Sequence, residues 1–305
     1  MTEFRGIIPP VLTPLDDQGR LDLPSLDALV DHLVAAGVDG LFALGSSGQV
    51  AYLTDAERDQ VVARIVERAA GRVPVVVGTA DLTANRVIAQ ARRAQEAGAS
   101  GVVVTAPLYA LNDTAEVGRH FRMVAAAIGV PVLAYDVPVR VHTKLGLPLL
   151  MELARDGVIA GVKDSSGDDV GFRRLVAANA AAGRPMTVLS GHEVMLDGIF
   201  LLGADGGVPG LANVDPAGYV KLWRAAQAGD WVAARAEQER LARLFEIVFV
   251  PQGRSGDAGG IGAFKAALAL LGVCASAAMP APLEDLTAAD TQAIAAILAE
   301  VGLLA

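Results

Sequence analysis

Short runs rich in Val, Ile, Leu and Ala alternate with longer amphipathic stretches about eight times before residue 220. The runs begin near Gly6, Gly40, Val73, Gly101, Val130, Val158, Met186 and Ala204. Most are apolar throughout, the pattern of parallel strands covered on both faces rather than of strands with one wet side. The stretches between them have helical spacing. Leu26, Leu29, Val30 and Leu33 share one face, as do Val61, Val62, Ile65 and Val66. Thr54 ahead of Asp55 and Glu57 suits a helix N-cap, and Gly37, Gly71 and Gly98 suit helix C-terminal turns. Repeated strand–helix units predict an α/β fold, a closed (β/α)8 TIM barrel. An open doubly wound sheet is the alternative, disfavoured because no Gly-x-Gly-x-x-Gly follows the first run. From about Leu222 the alternation stops, and Ala225 to Val250, Ile261 to Leu271 and Thr287 to Leu303 read as helices. The expected organisation is a catalytic barrel over 1–224 and a three-helix extension over 225–305, packed as one body.

Composition narrows the function classes. A net charge of −9 argues against a nucleic-acid surface, which needs clustered basic side chains. No apolar stretch is long enough for a membrane span, and the N-terminal segment lacks a signal-peptide pattern, so a cytoplasmic protein is expected. Cys274 is the lone cysteine, which fits a reducing compartment. His32, His120, His142 and His192 form no ligand-spaced pair, so no metal centre built on histidine is expected.

Chemistry is expected where strands end, because reactive groups of such barrels sit at the C-terminal face. Only four lysines occur, Lys144, Lys163, Lys221 and Lys265. Of these, Lys163 closes an apolar run and is followed by the loop-forming Asp164-Ser165-Ser166-Gly167-Asp168. An amine at the mouth of an apolar pocket can attack a carbonyl and form a Schiff base. Tyr135 ends the preceding run, so phenol and amine stand on neighbouring strands, suited to proton transfer during imine formation. Gly45-Ser46-Ser47-Gly48 offers backbone N–H groups and two hydroxyls, a cradle for a carboxylate. Each piece has a plainer reading: a solvent-seeking lysine, an interior tyrosine, a surface Tyr109, an ordinary glycine loop. Ser165, Ser166 and Asp168 could simply cap a helix. Gly203-Ala204-Asp205-Gly206-Gly207 has the look of a phosphate-binding turn, although strand-end glycines are common.

Taken together, these segments resemble the dihydrodipicolinate synthase/N-acetylneuraminate lyase family of class I aldolases. Gly45-Ser46-Ser47-Gly48, Tyr135-Asp136-Val137-Pro138 and Gly161 to Asp168 follow the family's order, and the likeness runs from Gly6 through the helical tail. The resemblance implies Lys163 as Schiff-base nucleophile for pyruvate or a longer 2-oxo acid, with no cofactor. It implies Tyr135 as acid/base, and Ser46 and Ser47 as hydroxyl relay and carboxylate holder, with Gly48 completing that turn. Tyr109 falls where the synthases place a tyrosine that reaches a neighbouring subunit, which implies a homotetramer built as a dimer of dimers. Gly191 and Val208 fall where the pocket is lined beside the keto acid, and Arg140 resembles the synthases' carboxylate-binding arginine. Three positions depart from the pattern: Gln49 replaces a Glu, Leu108 an aromatic, and Asp136 an Asn. The basic loop Arg140-Val141-His142-Thr143-Lys144 is also unusual and favours an anionic, even doubly acidic, substrate.

The leading expectation is a lyase that makes or breaks a carbon–carbon bond between pyruvate and an aldehyde, acting on a 2-keto-3-deoxy sugar acid. The alternatives are 4-hydroxy-tetrahydrodipicolinate synthase, condensing pyruvate with aspartate semialdehyde, and a dehydratase of keto-deoxy sugar diacids. A non-enzymatic ligand sensor would not need an imine-forming pair, and a metal-dependent class II aldolase would need more histidine.

Overall fold

A computed structural model of the chain describes residues 4–304. Eight parallel strands run in the order β1-β8-β7-β6-β5-β4-β3-β2. They are β1 (Gly6–Ile7), β2 (Leu41–Ala43), β3 (Val75–Gly78), β4 (Gly101–Val104), β5 (Val132–Asp136), β6 (Gly161–Asp164), β7 (Thr187–Ser190) and β8 (Gly206–Gly207). The remaining seam, between β1 and β2, is joined by a parallel bridge from Pro10 to Phe42. There Phe42 donates its N–H to the Pro9 carbonyl and Val11 donates to the Phe42 carbonyl, both at 2.9 Å. The sheet therefore closes into the expected (β/α)8 barrel, with helices outside. Its strands are buried almost throughout, which is why they carry unbroken valine runs rather than alternation.

The helices form where apolar spacing and caps agree. In Leu23–Ala35 the buried face is Leu26, Leu29, Val30 and Leu33. In Asp55–Ala69, Thr54 and Glu57 make a capping box, each side chain bonding the other's backbone N–H. That helix ends one residue earlier than its glycine suggests, since Ala70 already has a left-handed φ of 49°. Asp168 accepts from the Gly171 N–H at 2.8 Å and caps Asp169–Ala181, so the plain capping reading holds for that residue. Among the described residues, no helix is long and apolar enough to cross a membrane.

Past the barrel, helices Trp231–Phe245, Gly262–Leu270 and Ala288–Glu300 form the extension. The eighth barrel helix, Pro216–Gln227, runs on through position 224. The division we propose between barrel and extension therefore falls in the turn at 228–230.

The glycines near β8 are not a phosphate turn. Gly206 and Gly207 are the strand itself, and Asp205 lies at its N-terminal end, away from the strand ends that carry Lys163 and Tyr135. The Asp205 carboxylate accepts from Arg5 (3.0 Å), Arg184 (3.2 Å) and the Val188 N–H (2.9 Å). A carboxylate in that place repels an anion. Gly206 is required by closure: a Cβ there would stand 2.2 Å from the Gly6 carbonyl oxygen, backbone that has nowhere to go. Gly206→Ala should therefore lower unfolding free energy by about 1–3 kcal/mol in denaturant titration. Gly198→Ala, in a helix with open space around the position, should be neutral or slightly stabilising.

Candidate active site

Strand register builds the centre. Tyr135 on β5 is the direct partner of Lys163 on β6, and Asp136 of Asp164. The Lys163 Nζ lies 4.2 Å from the Tyr135 ring centroid and 5.0 Å from that of Phe42. The two rings meet edge to face, with centroids 6.2 Å apart. Lys163 is only 6% exposed and Tyr135 7%, so the amine sits in an aromatic corner largely shielded from bulk water. The Tyr135 hydroxyl is 3.5 Å from Ser46 Oγ. Burial pushes the phenol's pKa up, but the Lys163 charge and hydrogen bonds with Ser46, Lys163 and Ser165 outweigh it and bring the phenol below its ordinary value. A phenol so adjusted gives up and regains a proton more readily than a free tyrosine.

The other expected residues fall into three groups. Gly191 lies beside the lysine, since a Cβ there would be 3.5 Å from Lys163 Cε and 2.1 Å from Ser165 Oγ. Ser47 faces Gly210, and the Gly48 carbonyl is held by the Thr13 hydroxyl at 2.7 Å, which fixes the serine turn against the chain's first segment. Val208 is buried just past β8, its N–H bonded to the Ser190 carbonyl at 2.8 Å. Arg140, at the end of the short helix Pro138–Val141, lines the same cavity of about 330 Å³ as Phe42, Ser46, Tyr52 and Tyr135. Tyr109 is not brought to this centre: it is 94% exposed, with φ at 69°. A second cavity of about 320 Å³ lies on the Gly191 side and is lined by Ser165, Ser190, His192 and Glu193. Tyr135 lines the first cavity and Gly191 the second, and Lys163 is close to both residues.

The basic loop does not offer free positive charge. Lys144 turns back to Asp136 in a close ion pair and also reaches Ser166 Oγ (3.0 Å) and Asp164 (3.5 Å). Asp136 is fully buried and accepts a further bond from the Leu145 N–H at 3.0 Å. Arg140 is taken up by Asp257 of the extension, with Nη1 donating to Oδ2 at 2.8 Å and Nη2 to the other oxygen. The expectation of a doubly acidic substrate drawn from this loop loses its basis, because the protein's own carboxylates already answer those cations. Asp136 in place of Asn and the lysine eight residues later are one feature seen twice.

Glu193, assigned no role from sequence, is the other addition. Its carboxylate accepts from the Leu211 N–H at 2.6 Å. Desolvation pushes its pKa up to about 7, against the lowering pull of the Leu211 and Gly210 backbone N–H groups and the Lys163 charge. It is thus a buried acid within electrostatic reach of Lys163. Its place in the polar segment after β7 was visible in sequence, but nothing there distinguished it from a surface glutamate.

Asp136 supplies a test. Burial raises its pKa, with the neighbouring Asp164 adding to the rise, while the Leu145 N–H and Lys144 lower it. Lys144→Met removes the compensating charge and should cost about 3 kcal/mol of stability at neutral pH. A buried acid with a raised folded-state pKa loses stability as pH rises, so the variant should recover toward wild type as pH falls to the ordinary aspartate range. Adding Asp136→Asn should restore stability at neutral pH. Thermal melts of the three proteins across pH decide it.

The dihydrodipicolinate synthetase family model matches residues 3–301. Relatives include an uncharacterized DapA-like lyase of Halobacterium salinarum, 37% identical over 304 residues, covering 99% of this chain and 95% of that one. A 4-hydroxy-tetrahydrodipicolinate synthase of Methanoculleus marisnigri is 32% identical over 301 residues, covering 98% of this chain and all of that one (100%). Among solved structures, YagE of E. coli K12, a prophage protein of the dihydrodipicolinic acid synthase family in complex with pyruvate, superposes with a TM-score of 0.92. It is 31% identical, and the match covers 99% of this chain and 100% of that one. With a barrel of that shape and a match over nearly its whole length, the chain belongs to the dihydrodipicolinate synthetase family and is a pyruvate-dependent, Schiff-base-forming lyase.

Proposed function

We infer that the chain is an aldolase that splits a 2-keto-3-deoxy sugar acid into pyruvate and an aldehyde, with Lys163 as the Schiff-base residue. The observation that carries this reading is the Tyr135 phenol packed against the Lys163 amine, its hydroxyl beside Ser46. Lys163 Nζ attacks C2 of the keto acid, and the carbinolamine loses water as Tyr135 and Ser46 relay protons. The iminium at C2 then draws electrons from the C3–C4 bond. Tyr135, as phenolate, takes the C4 hydroxyl proton, C4 leaves as the aldehyde carbonyl, and the enamine gains a proton at C3. Water finally releases pyruvate and the free amine. The Ser46-Ser47-Gly48 turn is the holder of the common carboxylate. The iminium is the electron sink, so the reading needs no cofactor.

Support for the sugar acid comes from the cavity that Tyr135 lines, where the Ser46 and Tyr52 hydroxyls and the Asp257 carboxylate offer partners to a chain of hydroxyls. YagE, provisionally designated a 2-dehydro-3-deoxy-D-gluconate aldolase, is 36% identical over 243 residues, 79% of this chain. The alternative is condensation of pyruvate with aspartate semialdehyde. It is favoured by the designation of the Methanoculleus relative and by Arg140 lining the same cavity as Tyr135. The lone, buried Cys274 fits a cytoplasmic setting.

Borohydride reduction with pyruvate should add one adduct, on Lys163, in intact-mass and peptide analysis, and turnover should survive prolonged chelation. Labelling at another lysine would sink the mechanism.

Assembly is inferred from the loop after β4. Tyr109 and Leu111 are 94% and 89% exposed, apolar surface suited to a second copy of the chain in a homotetramer made of dimers. Tyr109→Phe should slow turnover with the oligomer intact. Mixed with Lys163→Ala under subunit exchange, it should regain part of the activity, because a hybrid dimer can hold one site with both residues. No recovery despite proven exchange would leave Tyr109 without a role across the boundary.

A further inference from the structure

The outer end of the Tyr135 cavity is built by three side chains from three distant parts of the chain. Arg140 comes from the loop after β5, Tyr52 from the loop after β2, and Asp257 from the glycine-rich segment of the extension. Asp257 binds Arg140 through both carboxylate oxygens and accepts from the Tyr52 hydroxyl at 3.4 Å. The Asp257 side chain is 16% exposed against 45% for Arg140, so the arginine is the more open member of the pair. Burial and the Asp257 charge raise the Tyr52 pKa, which keeps the phenol a neutral donor.

A guanidinium fork already holding a carboxylate is a poor receptor for a second one. An incoming anion would gain one weakened contact and meet the Asp257 charge. A hydroxyl fits better, because it can accept from the arginine's outer N–H and donate to an aspartate oxygen at once. Neighbouring hydroxyls on one carbon chain can use both members of the pair.

We propose that Asp257 is a positioning residue that sets the substrate class: by neutralising Arg140 it makes this end of the site select uncharged polyhydroxy aldehydes over carboxylate-ended ones. The proposal rests on the aldolase reading above and narrows it. It places a specificity element of the barrel in the extension, on a segment where Gly256 has open space around it and Asp257 opens a π-helical turn to Ile261. In the absence of the aspartate, the same arginine would be a free carboxylate site.

The test pairs pyruvate with D-glyceraldehyde and with aspartate semialdehyde, the latter as substrate or as competitor of the former. Asp257→Asn should lower the KM or inhibition constant of aspartate semialdehyde at least about tenfold, the reach of a charge-assisted pair, and raise the KM of glyceraldehyde. Asp257→Glu should keep the original preference. Combining Asp257→Asn with Arg140→Met should abolish the gain for the semialdehyde, because the effect is exerted through the guanidinium. If Asp257→Asn moves both aldehydes together, or if the gain persists without Arg140, the proposal is overturned. Borohydride trapping with pyruvate is run on each protein. Trapping in the unsubstituted enzyme with loss in Asp257→Asn alone would make Asp257 a structural residue and overturn the proposal while sparing the aldolase reading. No trapping at Lys163 in any protein would overturn that reading and this one with it.

Discussion

The site depends on the register between β5 and β6. With Tyr135 opposite Lys163, the phenol and amine meet without any loop having to bring them together, and the same pairing sets Asp136 opposite Asp164 one residue further on. Side chains alternate along a strand, so a slip of one residue would set Tyr135 opposite Val162 or Asp164 and send the amine to the other face. Parallel strands hold the phenol and the amine, and loops are left to decide what may approach them. The amine is therefore positioned by the part of the molecule least free to move.

Charge is arranged in layers around that pair. Closest is a single cation in an aromatic corner, with a phenol that its field makes more acidic. Behind it, two buried carboxylates share Lys144, which ties the ends of β5 and β6 to the loop that follows. Further out, Arg140 is met by Asp257. In a protein of net charge −9, both Lys144 and Arg140 are matched by an acid. Lys163 differs from both in facing aromatic rings instead of a paired carboxylate.

Much of this was legible in sequence, and for local reasons. Unbroken apolar runs marked strands, Leu26 to Leu33 marked a helix face, and Lys163 and Tyr135 stood out because polar, reactive side chains closed apolar segments. Closure of the sheet followed from the number of units. The pairings were not legible. Lys144 and Asp136 were each visible as oddities, but only a folded loop shows that one cancels the other. Arg140 and Asp257 are separated by 117 positions, and no periodicity links them. Glu193 became distinctive only when its surroundings were known, because a pKa is a property of the neighbourhood rather than of the residue. The glycines near β8, a phosphate-turn look-alike in sequence with strand-end glycines as the plainer reading, answer a backbone contact with Gly6, 200 positions away in the chain.

The meeting of the first and eighth strands also bears on how the chain is made. Gly6 cannot find Gly206 until the ribosome has delivered some 200 further residues, roughly 10–40 s of synthesis. Until then the nascent sheet has open margins, the kind of surface that other chains join. Just past β1, the strand at one margin, comes Pro9-Pro10, which meets Phe42 at the seam with β2. Two consecutive residues without an N–H make that stretch a poor template for a foreign strand, while Pro9's carbonyl remains able to receive Phe42. A pair of prolines next to the strand that must wait longest thus shortens the stretch of open backbone on which unwanted pairing could start.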